Sequence, residues 1–387
     1  MTTLAITAVE RRRAFAVVTV ALAIVSLIHG LTLPMLSLIL EREGIDKTLI
    51  GLNATAQFLA VFAAAPFVPR LMQNVGPAAM MFWSVLASAV VFLALPVYVD
   101  VHVWFVLRLA LGTALAFLWI AGEAWVSHLA EEGTRGRTVA IYGAVTAAGY
   151  ALGPLVLAAV GSEGWRPFIL AAGVMAIAAT PLALALKSGP RLTGRASGRF
   201  WRYALLAPVS MWMYFTFSAA EAVLLTFLPI YGMHAGLEER VAIALLTAMA
   251  IGAIASQFPV GWMADRLNSM MLTGIGVLLL IGTCVLLPVS IGQTPWNIVL
   301  ILGLGALLGA FYTLSLVLLG RRFKGADLGP AVTARSIMFC LGAMVGPPVA
   351  GAAIEFLGPD GMAWMLALLF VLFLPLPMIG FARRWVA

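Results

Sequence analysis

Twelve apolar blocks of about 20 to 28 residues, divided by short polar punctuation, constrain this chain more than any other feature. A helix of about 20 residues crosses the roughly 30 Å hydrocarbon core of a bilayer. A helix also satisfies its own backbone where no water can. The blocks predict helical spans at 14–40, 48–69, 78–98, 103–129, 138–161, 166–186, 203–230, 240–260, 270–290, 296–319, 329–354 and 362–382. Of 387 residues, 63% are hydrophobic and 10% charged, far below the roughly 25% charged residues of a soluble domain, and this excludes a water-soluble fold. A membrane barrel needs segments of ~10 residues alternating apolar with polar, a pattern absent here. The fold class is therefore an all-α membrane protein with twelve transmembrane helices.

Charge sets the orientation. With the N-terminus cytoplasmic, the loops on that side hold seventeen basic residues: Arg11, Arg12, Arg13, Arg70, Arg135, Arg137, Lys187, Arg191, Arg195, Arg199, Arg202, Arg266, Arg321, Arg322, Lys324, Arg383 and Arg384. The opposite loops hold four, Arg42, Lys47, Arg166 and Arg240, and only Arg108 and Arg335 fall within spans. This bias predicts both termini on the cytoplasmic side of the cell (inner) membrane. The formal charge of +7 is scattered over loops, so no nucleic-acid partner is expected. The apolar run after Arg11 to Arg13 continues to about Leu40, well beyond the 7 to 15 residues of a signal-peptide core, and is read as a retained first span. Cys284 and Cys340 lie far apart inside spans, so neither a disulfide framework nor a metal site is expected.

The stretch 187–202 has five basic residues, no acid, and Gly, Ser and Pro throughout. It predicts a cytoplasmic linker between residues 1–186 and 203–387; a site for anionic lipid headgroups is the rival reading. Two features recur 193 positions apart: Gly149, Gly153 and Pro154 in span five match Gly342, Gly346 and Pro347 in span eleven, and Gly112 matches Gly305. With the linker, they predict two pseudo-symmetric six-helix bundles with substrate held between them near the midplane. Close helix packing is the other reading of these glycines.

Residues 261–268, Gly261-Trp262-Met263-Ala264-Asp265-Arg266-Leu267-Asn268, resemble the G-x-L-a-D-R-x-G loop of the major facilitator superfamily, with Asn268 in place of the second glycine. The first-half counterpart, residues 69–76, keeps Arg70 and Gly76 but lacks the acid. Arg108-x-x-x-Gly112 resembles the family's second motif, and Gly149-x-x-x-Gly153-Pro154 its antiporter motif without the trailing glycine pair. Glu123-Ala124-Trp125 with Arg135-Gly136-Arg137 is similar to the YcaD-like branch. The resemblance covers essentially the whole chain and implies the major facilitator fold, a secondary transporter and, through the antiporter motif, efflux. Asp265 would cap the start of span five, where free N–H groups favour an anion. Arg266, Arg321, Arg322, Arg137 and Arg335, with Gly149, Gly153 and Pro154, complete the expected gating set.

An ionisable side chain at mid-bilayer costs about 2.5–3.5 kcal/mol on the lenient insertion scale, so those in the spans are the functional candidates. Arg108, Gly112, Trp119 and Glu123 fall at offsets 0, 4, 11 and 15, along one helix face. Span one offers Ser26 and His29, span seven Tyr214, Ser218 and Glu221, span two Asn53 and Gln57, and span ten Tyr312. Glu221 is the expected proton carrier, Arg108 its charge partner, and His29 a second titratable or substrate-contacting group. Glu123 is either a second proton site or one half of an ion pair with Arg135, Arg137 or Arg335. Packing or tethering roles stay open for His29, Arg108, Asn53 and Gln57.

The expectation is a secondary active transporter of a small organic molecule, probed first as proton-coupled efflux and second as proton-coupled uptake of an organic anion. It needs no cofactor beyond the proton gradient, works as a monomer and is not an enzyme, since no H-E-x-x-H and no paired aspartates occur in the spans. A non-transporting sensor or scaffold of the same fold is the reading from another class.

Overall fold

The computed structural model describes residues 8–129, 135–186, 200–324 and 327–382; residues 187–199 of the expected linker lie outside them. Twelve helices among the described residues are long and apolar enough to cross a membrane, in the places the apolar blocks predict. The chain is a multi-pass membrane protein. Its large apolar side chains accordingly point outward, with Leu184, Phe258 and Phe356 more than four-fifths exposed, while Asn53, Gln57 and Arg108 are buried. In lipid it is the polar groups that must be hidden.

The helices fall into two compact units, Met1–Thr32 with Leu59–Ala196, and Leu33–Phe58 with Ser197–Ala387. Both units share α1 (Ala8–Arg42) and α2 (Lys47–Ala64). The first unit adds α3 (Val68–Val75), α4 (Pro77–Ala94), α5 (Val101–Leu129), α6 (Arg135–Val160) and α7 (Arg166–Ala185). The second adds α8 (Phe200–Leu206), α9 (Pro208–His234), α10 (Glu239–Arg266), α11 (Ser269–Ser290), α12 (Trp296–Arg322), α13 (Leu328–Leu357), α14 (Gly361–Phe373) and α15 (Pro375–Ala382).

Three predicted spans break at a proline, although other prolines, such as Pro154 and Pro288, lie inside continuous helices. Span two stops at Ala64 before Pro66, and the chain restarts as α3 with Pro69 in its first turn. Span seven is α8 and α9 divided ahead of Pro208, and span twelve is α14 and α15 divided ahead of Pro375. A proline lacks the N–H that would continue the ladder, and it clashes with the preceding turn.

The repeated glycine motif performs one packing task in each unit. In the first unit, a Cβ added at Gly149 or Gly153 of α6 would collide with the backbone carbonyls of Ala23 or Leu27 on α1. In the second, a Cβ at Gly342 or Gly346 of α13 would collide with the carbonyls of Phe215 or Ala219 on α9. The fifth helix of each half thus lies backbone to backbone on its first, which only glycine permits.

Residues 33–58 are joined to the second unit by similar contacts. Gly51 of α2 lies against the Pro347 carbonyl, and Gly351 of α13 against that of Lys47. Thr48 donates to the Glu355 carboxylate from its amide (3.0 Å) and hydroxyl (2.7 Å), and Thr55 donates to the Met344 carbonyl at 2.7 Å. Arg42 pairs with Glu239, while Lys47 and His234 share Glu41.

Trp104, near the start of α5, is fully buried. Its Nε1 donates to the carbonyls of Leu95 and Tyr98 at 3.0 Å each, fastening the turn between α4 and α5. Asp100 precedes α5 and accepts from the amides of Val103 (3.0 Å) and His102 (2.8 Å). The Val103 bond, more than any other contact, holds its carboxyl below the usual carboxylate range. A lowered folded-state value means that the cap is present above the unfolded carboxyl's value and lost as pH falls through the folded one. We expect protection of the Val103 amide from hydrogen exchange at neutral pH to fall away in that acid window, and to be missing at all pH values in Asp100→Ala. Unchanged protection in Asp100→Ala would rule out the cap.

Candidate substrate and proton site

Arg108 projects from α5 into the first unit, 1% exposed. All three of its guanidinium nitrogens are buried and have no hydrogen-bond acceptor among the described residues. Burying a charge without a partner is among the costliest arrangements a fold can hold. His29 of α1 lies within electrostatic reach of this cation and stacks on Tyr150 of α6, with ring centroids 6.0 Å apart at 27°. A cation, an imidazole and a phenol thus converge on one part of this unit. Ser26, one turn earlier on α1, spends its hydroxyl on the Leu22 carbonyl of its own helix at 2.8 Å.

Farther along the same face of α5, Trp119 Nε1 donates to Glu123 Oε1 at 2.9 Å, and Tyr142 of α6 reaches the same oxygen at 3.5 Å. Arg108 and Glu123 are separated by about 22 Å of helix rise, so the predicted face holds two polar groups and not one. The side chains of Arg135 and Arg137, considered as partners for Glu123, lie outside the described residues.

In the second unit, Asn53 of α2 is fully buried with both amide atoms unpaired, and Gln57, one turn on, is also buried. Glu221 and Tyr214 are half-buried on α9, which is enclosed over most of its surface whereas the other spans turn half or more of theirs outward. Ser218 donates to the Phe215 carbonyl at 2.9 Å. Arg335 is held by Ser315, by the Tyr312 carbonyl and by the face of the Tyr214 ring.

Of the gating set, Asp265 is exposed at the end of α10, and Arg266 lies 4.0 Å over the Trp262 ring. Arg321 donates to Ser269 Oγ (3.0 Å) and to the Ala264 carbonyl (2.7 Å), joining the ends of α12, α10 and α11. Asn268, where the family motif has glycine, caps α11 by accepting from the amides of Met270 and Met271. Arg322 is exposed. Gly149, Gly153 and Pro154 are buried on α6. Tyr150, Tyr142 and Ser315 went unpredicted. Each is an ordinary residue for a span, and only its contact with His29, Glu123 or Arg335 marks it.

The profile of the Major Facilitator Superfamily matches residues 18–319 and 241–384, together nearly the whole chain. The chain belongs to the major facilitator superfamily. Among its relatives, the uncharacterized MFS-type transporter YfkF of Bacillus subtilis (strain 168) is 27% identical over 336 residues, 84% of each chain. Two solved structures share the fold. One is a bacterial homolog of the human lysosomal transporter Spinster, inward-facing and unoccupied, with a TM-score of 0.77, 14% identity, and 97% of this chain and 94% of that one covered. The other is a mutant of the nucleoside transporter NupG, with a TM-score of 0.76, 13% identity, and 95% and 100% covered. A major facilitator protein is a transporter rather than an enzyme. In this superfamily member Arg108 is a buried charge whose nitrogens all lack acceptors among the described residues.

Proposed function

We propose that this transporter moves a small organic molecule across the cell membrane by alternating access, coupled to protons and in the direction of efflux. The observation that carries the reading is the buried, acceptor-free Arg108 beside His29, because a fold retains such a charge only where a changing partner or ligand offsets it. Half-buried Glu221 is the proton carrier in this reading, since protonation removes its charge and so alters the cost of enclosing it. Efflux and membership of the YcaD-like branch rest on the resemblance of Gly149-x-x-x-Gly153-Pro154 and of Glu123-Ala124-Trp125. The excess of basic residues in alternate loops supports cytoplasmic termini. Uptake of an organic anion is favoured by the same Arg108 nitrogens, which suit a carboxylate.

Liposomes containing the purified protein and a trapped pH-sensitive dye distinguish these readings. On addition of a panel of organic ions under an imposed pH gradient, we expect at least one to drive proton movement out of phase with its own. Proton movement in step with the solute favours uptake. Glu221→Gln is expected to reduce solute-linked proton flux to the level of empty liposomes. If Glu221→Gln keeps the parent's pH profile, Glu221 is not the carrier. Absence of flux under every gradient favours a sensor or scaffold.

A further inference from the structure

The second unit has a buried cation of its own. Arg335 of α13 is 5% exposed, and its guanidinium carbon lies 3.3 Å from the centroid of the Tyr214 ring and 5.0 Å from that of Tyr312. Nε and Nη2 both donate to Ser315 Oγ, at 3.2 and 2.9 Å, and Nη2 also reaches the Tyr312 carbonyl at 3.4 Å. These partners fix the plane of the fork but are neutral, and no acidic side chain pairs with Arg335 among the described residues. Nη1 has no hydrogen-bond acceptor among the described residues. A cation that is oriented yet left with an unfilled donor edge is arranged for an anion.

The neighbours of this edge are aromatic. Tyr214 stacks on Phe217 with centroids 5.6 Å apart and planes 1° from parallel, and it meets Phe339 at 5.3 Å and Tyr312 at 6.0 Å. Phe58 of α2 extends the group through Phe339 at 6.4 Å. Ring faces attract the guanidinium, and ring surfaces accept flat apolar groups by stacking. We propose that Arg335, with Tyr214, Tyr312 and Phe339, forms a seat for an organic carboxylate with a flat apolar body. The carboxylate takes Nη1, and the body lies among the rings. The seat deepens the transport reading by naming a substrate class, yet binding alone tests it.

The full-length protein in nanodiscs is titrated with benzoate, with acetate (the charge without the body) and with benzyl alcohol (the body without the charge). Benzoate is expected to bind saturably and at least about tenfold more tightly than either. Arg335→Gln removes this advantage. Arg335→Lys keeps part of it, because an ammonium preserves the charge but not the fork. Tyr214→Leu, which keeps the charge but removes the ring beneath it, weakens benzoate by a larger factor than acetate. Absence of saturable benzoate binding in the parent, or an unchanged affinity in Arg335→Gln, overturns the proposal. So does loss of benzoate binding as phosphatidylglycerol replaces phosphatidylcholine, which would assign the seat to a lipid headgroup. Benzoate binding in a protein that moves no solute would keep the seat and reject the transport reading.

Discussion

Replacing Arg108 by Met is expected to leave the protein at least as stable as the parent while abolishing solute-linked proton flux. The two effects run in opposite directions for one reason. A guanidinium whose nitrogens are buried and lack acceptors among the described residues has no protein partner there to offset the cost of leaving bulk water, and Met fills a similar volume without that penalty. Exchanging a buried ion pair or triad for apolar side chains of similar volume is often neutral or stabilising by about 1–4 kcal/mol, and we expect Arg108→Met, which removes a buried charge with no partner left behind among the described residues, to fall in that range. Thermal unfolding in detergent measures the stability, and the liposome assay measures the flux. A destabilised variant would mean that Arg108 is a structural tether, the reading left open by its sequence. A stable variant with the parent's flux would remove it from the mechanism altogether.

The second large effect concerns packing. Gly153→Ala and Gly346→Ala each insert a methyl group against a backbone carbonyl of the neighbouring helix, Leu27 in one unit and Ala219 in the other. Backbone cannot rotate aside as a flexible side chain does, so the helices must separate. Overpacking of this kind costs about 1–3 kcal/mol. Gly143→Ala, on the same helix as Gly153 but with nothing within 4 Å of its added Cβ, is the control. It should gain up to about 1 kcal/mol, because alanine loses less conformational freedom than glycine in a helix. Comparable melting temperatures for Gly143→Ala and Gly153→Ala would show that the motif is not a packing device.

Much of this architecture is legible without coordinates. Length and apolarity locate every span, because a helix crossing lipid has a minimum length and must be oily around most of its circumference. The breaks ahead of Pro208 and Pro375 are not legible in the same way, since the predicted spans 203–230 and 362–382 run through them and other prolines, Pro154 and Pro288 among them, lie inside unbroken helices. The 193-residue spacing of Gly149 and Gly342 identifies a repeated element, although it leaves packing and gating indistinguishable until Ala23 and Phe215 are seen against those glycines. The candidate site is legible only as an inventory. Periodicity places Arg108 and Glu123 on one face of α5, but not the Trp119 and Tyr142 bonds that occupy Glu123. Arg335 reads as a gate residue by its position near a cytoplasmic span end, whereas its neighbours, Tyr214 at 121 positions' distance and Ser315 at 20, make it part of an aromatic cluster. The hydrogen bond of Glu41 with His234 carries no local signal either, since His234 is 193 residues away.

The amino-acid sequence by itself determined that this chain is a twelve-span helical membrane protein with an internal repeat and very few charges inside its spans. Those properties follow from one-dimensional quantities: the length of an apolar run, the spacing of repeated glycines, the count of charged residues within and between spans. Only the tertiary structure decided that Arg108 stands without an acceptor among the described residues, that Arg335 rests on Tyr214, and that residues 33–58 pack with the second unit. Each of these depends on what lies across a helix interface, and a helix's own periodicity specifies which face is turned inward but not the side chain it meets there.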